Sequence, residues 1–149
     1  MIQIKAVDEQ NLLDVCALTT NRDGLGGLGE GHFCCNAISI AAAKYCPEMH
    51  PNAIYHNHVL VGFFMYYRTE EQADTATICR FMIGTQFQQK GLEERALEHI
   101  LRGLKIQGVQ KVRIMLDSAN ENAKNLWCSF GFHFTGERSE TECCYALAF

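Results

Sequence analysis

The spacing of the apolar residues changes several times along the chain, and each change predicts a new element of secondary structure. Alternating positions over residues 2–7 predict a first strand. Asp8 can accept a hydrogen bond from a free backbone amide, so it marks the expected start of a helix. A second helix is expected from about Cys35 to Tyr45, because Pro47 cannot continue it.

The middle of the chain predicts three strands and a long helix. Two strands are expected at 52–56 and 59–68, joined by a short polar turn. The strand at 75–83 becomes apolar on both faces at its end, which is typical of a central strand covered on both sides. An amphipathic helix with apolar residues at helical spacing is expected over 89–107, and Gly108 would close it.

The last part of the chain predicts a strand, a helix and a pair of strands. The strand is expected at 109–117, with alternate residues on one face. Either Asn120 or Ser118 would cap the next helix, and Gly131 would stop it. The final two strands are expected at 132–137 and 141–149, antiparallel to each other.

Together these elements give the order β-α-α-β-β-β-α-β-α-β-β. This order predicts an α/β (α+β) fold, with a central mixed and mostly antiparallel sheet of about seven strands and helices on both faces. The sequence has no internal repeat, linker or low-complexity tract. A single domain over residues 1–149 is therefore expected.

The composition is that of an ordinary globular protein: 48% of the 149 residues are apolar and 20% are charged. No apolar run approaches the length that crosses a membrane, and the N-terminal MIQIKAV is typical of a strand rather than a signal peptide. We therefore expect a cytoplasmic protein with no membrane partner. The net charge of −4 argues against nucleic acid and is compatible with a cationic or neutral small substrate.

The eight cysteines include two adjacent pairs and no C-x-x-C spacing, which fits neither a disulfide scaffold nor a zinc site. They are expected to be reduced and mostly buried, and a redox or metal role is the less favoured alternative. His56 and His58 form an H-x-H sequence in the predicted hairpin turn. No carboxylate or thiol lies at ligand spacing nearby, so surface histidines and no metal are expected.

The segment from Arg80 to Ala96, RFMIGTQFQQKGLEERA, combines a strand end, a tight turn at Gly84 and the start of the long helix. The first N–H groups of a helix have no intrahelical partner and carry the positive end of its dipole. Such a helix start can hold a phosphate or pyrophosphate. Gly91 has no Cβ where a ligand backbone would approach.

A second glycine-rich segment, NRDGLGGLGEG at 21–31, follows a helix rather than a strand and has no P-loop Lys-Ser/Thr after it. This context favours a mobile loop over a nucleotide cradle. Glu30 is the carboxylate of this loop that could meet a cationic substrate, and a solvated loop charge is the alternative.

Two segments resemble the GNAT superfamily of N-acetyltransferases. The sequence around QQKGLEERAL at 88–97 is similar to the acetyl-coenzyme A motif Q/R-x-x-G-x-G/A that follows a strand in that family. The sequence NENAKNLWCSFGF at 120–132 is similar to the family's N-E-x-A-x-x-L-Y-x-x-x-G-F. With Arg80 before F-M-I, and with NAIYH and VGFFMY upstream, the chain most resembles the bacterial spermine/spermidine acetyltransferase branch.

The resemblance implies transfer of an acetyl group from acetyl-coenzyme A to a primary amine, with a polyamine as the leading acceptor, directly in a ternary complex. It also implies a cofactor site in three parts. The strand backbone would pair with the pantetheine arm, the loop and helix start would wrap the pyrophosphate, and the next helix would add a contact. The implied residues are Phe81, Met82, Ile83, Gln88, Gln89, Lys90, Gly91, Leu92, Glu93, Glu94 and Asn120.

The chain departs from the family pattern at two positions. Glu93 stands where the family has Gly or Ala, and its charge opposes a pyrophosphate at the helix start. Trp127 stands where many members carry a Tyr that protonates the thiolate, and an indole cannot supply a proton near neutral pH. Glu30 is a candidate base and substrate ligand, and Arg80 either lines the acceptor pocket or is structural.

These departures leave two alternatives open: a degenerate member that binds coenzyme A or a partner without turnover, and an enzyme that acetylates a peptide or protein. The resemblance also makes a homodimer possible, because dimers are common in the superfamily.

Overall fold

The computed structural model of the chain describes residues 1–20 and 35–149, which form seven strands and four α-helices. The strands are β1 (Ile2–Ala6), β2 (Met49–His56), β3 (Val59–Tyr67), β4 (Thr75–Ile83), β5 (Lys111–Asp117), β6 (His133–Arg138) and β7 (Glu142–Ala148). The helices are α1 (Leu12–Ala17), α2 (Asn36–Lys44), α3 (Leu92–Ile106) and α4 (Glu121–Ser129). The glycine-rich segment, including Glu30, lies outside the described residues.

All seven strands belong to one sheet in the order β1-β2-β3-β4-β5-β7-β6. Every neighbouring pair is antiparallel except β4 and β5, which run parallel. The parallel pair is possible because α3 carries the chain back across the sheet between the two strands. The expected mixed, mostly antiparallel sheet is confirmed.

Helices cover both faces of the sheet, as expected. On one face, α1 and α2 pack over β2, β3 and β4 through a small core that contains Val15, Ile40 and Phe63. On the other face, α3 and α4 cover the larger core. The apolar stripe of α3 is buried there, and its members are Leu92, Ala96, Leu97, Ile100, Leu101 and Leu104. The spacing of these residues therefore identified the buried face of α3 correctly.

The start of α1 is held by a reciprocal pair of hydrogen bonds. The Asp8 carboxylate accepts from the N–H of Asn11 at 3.0 Å, and the Asn11 side chain accepts from the N–H of Asp8 at 2.9 Å. Such a capping box satisfies free amides at the end of a helix. The regular helix begins only at Leu12, but Asp8 has the capping role that the sequence indicated.

Two element boundaries differ from the expectation. The helix α3 begins at Leu92 rather than Gln89, because Gln89 and Gly91 adopt left-handed conformations with φ of 62° and 73°. The strand β2 begins at Met49, so it contains Pro51. A proline is tolerated there because β1 has ended at Ala6, and the Pro51 carbonyl still accepts from Val7 at 3.1 Å.

The expectation that most cysteines are buried is wrong for the described residues. Cys144 is the buried one of the seven that the structure describes, and all seven are free thiols. Cys35, Cys79 and Cys128 are exposed. The reason is that five of the seven lie near element ends, in the sheet bulge of β4, or on the outer surface of α4, where the pattern of apolar residues gives no information on burial.

Gly62 on β3 permits the close approach of β3 and β4. A Cβ at this position would lie 2.5 Å from the backbone oxygen of Met82 and 2.8 Å from Ile83 Cδ1. We expect Gly62→Ala to lower the free energy of unfolding by about 1–3 kcal/mol, because the clash is with backbone. Urea unfolding followed by circular dichroism would measure it.

Gly103 provides the matched control. It lies inside α3, and an added Cβ would meet no atom within 4 Å. Gly103→Ala should therefore raise the free energy of unfolding by up to about 1 kcal/mol, through helix propensity alone. Equal destabilisation by both substitutions would contradict the close β3–β4 approach.

Candidate active site

A cleft opens in the middle of the sheet because β4 and β5 separate. Their pairing joins Thr75–Ile78 to Lys111–Ile114 and then stops, although both strands continue. A register shift in the pairing of β4 with β3, between Met65 and Tyr66, accompanies the separation. A cleft of about 690 Å³ occupies the gap. Its lining comes from β4, β5, the start of α4 and Thr20.

The separation leaves backbone groups of β4 without a strand partner. The N–H of Gly84 donates to Val61 on β3 at 2.8 Å. Because neighbouring residues of a strand point their N–H groups to opposite sides, Phe81 and Ile83 direct theirs towards β5, beyond the end of the β4–β5 pairing. The carbonyl of Ile83 accepts from the Gln88 side chain at 2.9 Å. Phe81 and Ile83 thus present free amides at the cleft edge of β4.

The loop from Gln88 to Gly91 connects this strand edge to α3. Gln89, Lys90 and Gly91 are exposed, and a Cβ on Gly91 would meet no protein atom within 4 Å. The start of α3 is therefore open to solvent, with room for an anionic group beside its free N–H groups. The left-handed backbone of Gln89 is unusual for a residue other than glycine.

The first turn of α3 carries the residues that depart from the family motif. Leu92 is buried, so this residue can offer a ligand only its backbone. Glu93 is partly buried and Glu94 is exposed, and both are acidic groups in the first turn. They stabilise the helix through its dipole while opposing a second negative charge at the same place.

Asn120 lies at the start of α4 on the rim of the cleft. Its side-chain oxygen accepts from the N–H of Ala123 at 3.0 Å, so Asn120 is the N-cap of α4, one of the two residues proposed for this role. The side-chain amide NH₂ remains as a donor on the cleft side. The same side chain therefore positions α4 and lies where a ligand in the cleft would contact it.

Trp127 forms part of the cleft wall and of the core at once. It is 3% exposed, and its ring meets Phe81 edge-on at 5.6 Å and Phe132 at 5.1 Å. Its Nε1 donates to no described residue, and no buried side-chain nitrogen of the described chain is without a partner. The indole N–H therefore reaches solvent. Trp127 can offer a hydrogen bond in the cleft, but it cannot supply a proton.

Arg80 lines the cleft and extends towards α2. Its two terminal nitrogens donate to Ser39 Oγ at 2.7 Å and to Asn36 Oδ1 at 3.0 Å. Both partners are almost completely buried. Sequence reasoning missed this pair. The signal was present, because Asn36 and Ser39 are polar residues three apart on the face of α2 that turns inward.

Two carboxylates, Asp117 and Glu121, also line the cleft, and sequence reasoning missed them as site residues. Alternate residues of β5, among them Ile114 and Leu116, belong to the core under α3 and α4. Asp117 therefore points to the opposite face, where α1 and α2 lie. Its Oδ1 accepts from the N–H of Ala119 at 2.8 Å, which leaves the second oxygen exposed at the cleft mouth.

The H-x-H residues lie in the β2–β3 hairpin, as expected. His56 Nε2 lies 3.3 Å from the Arg95 guanidinium, and desolvation, the N-terminal amine and Arg95 lower the pKa of His56. Within residues 1–20 and 35–149, no three His, Cys, Asp or Glu side chains are grouped so that they could hold a metal ion. In the same ranges, no helix combines the length and apolar character needed to cross a membrane.

The sheet order, the separated β4–β5 pair and the open start of α3 define an acyltransferase of the acetyl-coenzyme A class. Residues 31–147 match the acetyltransferase (GNAT) domain, and the chain belongs to this family. It is an acetyl-coenzyme A dependent N-acetyltransferase, and the resemblance seen in the sequence is confirmed.

The similar proteins agree with this assignment. The chain is 28% identical over 142 residues to the spermine/spermidine N(1)-acetyltransferase of Bacillus subtilis strain 168, covering 91% of this chain and 90% of that protein. Two crystal structures share the fold. The ribosomal-protein-S18-alanine N-acetyltransferase of Escherichia coli has a TM-score of 0.73 at 18% identity, covering 99% of this chain and 94% of that one. PaiA N-acetyltransferase of Thermoplasma acidophilum, in complex with coenzyme A, has a TM-score of 0.71 at 13% identity, covering 100% and 99%.

The structure brings some of the sequence-predicted residues together and leaves others apart. Five of them line the cleft, namely Arg80, Phe81, Met82, Asn120 and Trp127. Ile83 is buried just beyond the lining, and the residues from Gln88 to Glu94 follow on the loop and first turn outside it. Their roles towards the cofactor stay predictions.

Glu93 gives a test of the helix start. Removing its charge as Glu93→Gln should lower the dissociation constant of acetyl-coenzyme A by about two- to fivefold at low salt, because an anion at a helix start then meets less repulsion. Isothermal titration calorimetry measures it, and the gain should shrink at high salt.

Glu98→Gln on the exposed surface of the same helix is the control, since Glu98 pairs with Arg102 away from the first turn. An unchanged dissociation constant for Glu93→Gln would show that this carboxylate does not face the bound cofactor.

Proposed function

We propose that the protein transfers the acetyl group to a primary amine of a polyamine-like small molecule. The relatives at 28% identity that are named as spermine or spermidine N(1)-acetyltransferases support this acceptor class. The observation that carries the proposal is Asp117, whose free carboxylate oxygen lies at the cleft mouth on the face of α1 and α2. A polyamine presents a second ammonium that this carboxylate would bind while the reacting nitrogen lies deeper.

The cofactor would lie against the free edge of β4. The amides of Phe81 and Ile83 would pair with the pantetheine arm, with Met82 between them, and one of these N–H groups would face the thioester oxygen. Asn120 would contact the cofactor from α4. The pyrophosphate would lie at the exposed loop and first turn of α3, held by backbone N–H groups from Gln88 to Glu94.

Direct transfer in a ternary complex fits the residues that line the cleft. Of the described residues that line the cleft, Cys79 on β4 carries a thiol. Desolvation raises the pKa of the Cys79 thiol, with a smaller contribution from Cys46. A thiol that stays protonated is a poor nucleophile, so an acetyl-cysteine intermediate is disfavoured. The amine then attacks the thioester carbon itself.

The two protons of the reaction need no dedicated acid in this proposal. The thiolate of coenzyme A is a fair leaving group, and water or the newly formed ammonium can protonate it. Trp127 would orient the sulfur through its N–H. Glu30, the base candidate from the sequence, lies outside the described residues and keeps that role as a hypothesis.

An amine panel tests the acceptor. With acetyl-coenzyme A, the protein should release thiol faster with spermine and spermidine than with butylamine, and it should leave a lysine peptide unreacted. Thiol release measured with a chromogenic disulfide gives the rates. Activity on the peptide alone would favour the protein acetyltransferase alternative. Binding of acetyl-coenzyme A by calorimetry without thiol release for any amine would favour the degenerate alternative.

Asp117 gives a residue-level test. Asp117→Asn keeps the oxygen that accepts from Ala119 and removes the charge. The KM for spermidine should rise about two- to fivefold, the range for an exposed ion pair, and the KM for butylamine should stay unchanged because it has no second ammonium. Glu70→Gln, on the exposed loop before β4, is the matched control. An equal rise for both amines would contradict the role given to Asp117.

A further inference from the structure

Met115 is an apolar residue of an internal strand that the rest of the described chain leaves uncovered. It lies on β5, which has β4 on one side and β7 on the other. Met115 is 40% exposed, whereas its neighbours along the strand, Ile114 and Leu116, are 6% and 7% exposed. Both neighbours belong to the core under α3 and α4, and Met115 belongs to neither core of the described residues. Core packing therefore does not account for an apolar side chain at position 115.

The place of Met115 in the molecule distinguishes it from the other exposed apolar residues. Single apolar residues are common on protein surfaces and need no explanation. Among the large apolar residues exposed in 1–20 and 35–149, however, Met115 is the one that lines the cleft. Ligand sites are typically concave and lined by apolar side chains beside a few polar groups. The position of Met115 in the cleft, and not its exposure alone, indicates a contact with a ligand.

Met115 lies on the same face of the sheet as Asp117, because side chains two residues apart on a strand share a face. Arg113 lies on this face too. One of its guanidinium nitrogens is 3.3 Å from the sulfur of Cys144, the residue that pairs with Met115 on β7. Arg113 also forms an ion pair with Glu137. Along this face, β5 thus presents a carboxylate, then a thioether, then an arginine that already has partners.

Met115 is also the first residue of β5 beyond the pairing with β4. That pairing ends at Ile78 and Ile114, so the gap between the two strands begins there and opens towards their carboxyl ends. Asp117 lies at the mouth, two residues and about 7 Å further along the strand. An acceptor whose ammonium binds Asp117 and whose other end reaches deeper into the gap must pass Met115. The carbon chain of a polyamine would then lie against the thioether.

From this arrangement we propose that Met115 determines acceptor specificity by contacting the carbon chain between the two nitrogens of the acceptor. The inference rests on the proposed function and adds an apolar contact to the ionic contact at Asp117. A methionine side chain is unbranched and flexible, so it adapts to the shape of a methylene chain. Binding removes the exposed thioether and the methylenes from water, which stabilises the complex. Met115 takes no part in bond formation and is a specificity-determining residue.

The expected size follows from the burial of methylene groups. Complete burial of one methylene strengthens binding about fourfold. A methylene against Met115 is covered from one side, so we expect an effect of about two- to threefold for each. An ether oxygen in place of a methylene keeps the chain length but adds a polar atom that loses water on binding. The exchange of one methylene for oxygen therefore probes the apolar contact while both nitrogens stay in place.

The test compares 1,5-diaminopentane with bis(2-aminoethyl) ether, two diamines of equal chain length that differ in the central group. The measured quantity is the ratio of their kcat/KM values at saturating acetyl-coenzyme A. Met115→Gln replaces the thioether by an amide of similar length, and it should lower the preference for 1,5-diaminopentane about two- to fourfold. The change should lie in KM, with kcat nearly unchanged. Because both proteins are compared on the same two amines, the different ionisation of the amines cancels.

Two further variants serve as controls. Met115→Leu keeps an apolar side chain of similar volume, so it should keep the preference of the wild-type protein. Ile106→Gln makes the same kind of change at an exposed apolar residue at the end of α3, outside the cleft, and should alter neither KM nor kcat. Circular dichroism and calorimetric titration with acetyl-coenzyme A establish that each variant is folded and binds the cofactor.

The outcomes are distinct. An unchanged preference in folded Met115→Gln overturns the inference, and so does an equal loss in Met115→Leu, which would assign the effect to side-chain shape. Should the wild-type protein acetylate monoamines but no diamine, the polyamine proposal fails alone, and the same ratio for pentylamine and 2-ethoxyethylamine decides on Met115. Should no amine react, calorimetric dissociation constants of the two diamines on the coenzyme A complex replace the ratio. Binding of neither diamine would then overturn both proposals.

Discussion

The separation of β4 from β5 after Ile78 is the constraint on which the site depends. A sheet normally pairs every backbone N–H and C=O in its interior, because an unpaired buried group is costly. Here the centre of a seven-stranded sheet contains an edge, and the cleft keeps that edge accessible. The amides of Phe81 and Ile83 are consequently free donors in a rigid frame. Side-chain donors on a surface loop would be held less rigidly than these strand amides.

The elements around the cleft are arranged so that this opening persists. Gly62 lets β3 approach β4 closely, Trp127 and Phe81 pack edge-on at the far wall, and Gln88 satisfies the carbonyl of Ile83. The Gly62 contact holds β4 from the β3 side, the Phe81–Trp127 contact holds it from one face, and Gln88 satisfies one carbonyl on the side that faces β5. A carbonyl at the end of a separated strand needs a hydrogen-bond donor. This need accounts for the polar residue Gln88 at the start of the loop.

Much of the fold could be predicted from the sequence because local patterns determine it. The 3.6-residue stripe fixed the buried face of α3, and Asp8 and Asn120 marked helix starts through their capping hydrogen bonds. The start of α3 was predicted three residues early. The spacing of apolar residues does not reveal that the backbone of Gln89 is left-handed. The burial of the cysteines was also predicted wrongly, because it was inferred from the usual preference of cysteine for buried positions, and Cys35, Cys79 and Cys128 are exposed.

The site was less predictable because its residues meet only in three dimensions. Arg80 and Asn36 are 44 residues apart, and no local pattern indicates that one holds the other. Asp117 ends a strand and starts a turn, so its sequence context suggests only a turn residue. Its position beside the cleft follows from the parallel placement of β5 next to β4 and from the alternation of side chains along β5. The motif residues could be identified from the sequence because they are contiguous in the chain and resemble the family motif.

The charges of the cleft differ between its two sides, and this difference connects the fold to the chemistry. Cofactor phosphates would lie outside the sheet, at a helix start that also carries Glu93 and Glu94. There the helix dipole would attract a phosphate and the two carboxylates would repel it. On the side of the cleft that faces α1 and α2, the guanidinium of Arg80 is held by Ser39 and Asn36, and the carboxylate of Asp117 lies at the mouth. In the proposed reaction of a polyamine, one nitrogen stays charged for binding at the carboxylate and the other becomes neutral before it reacts. A monoamine can satisfy only one of the two requirements.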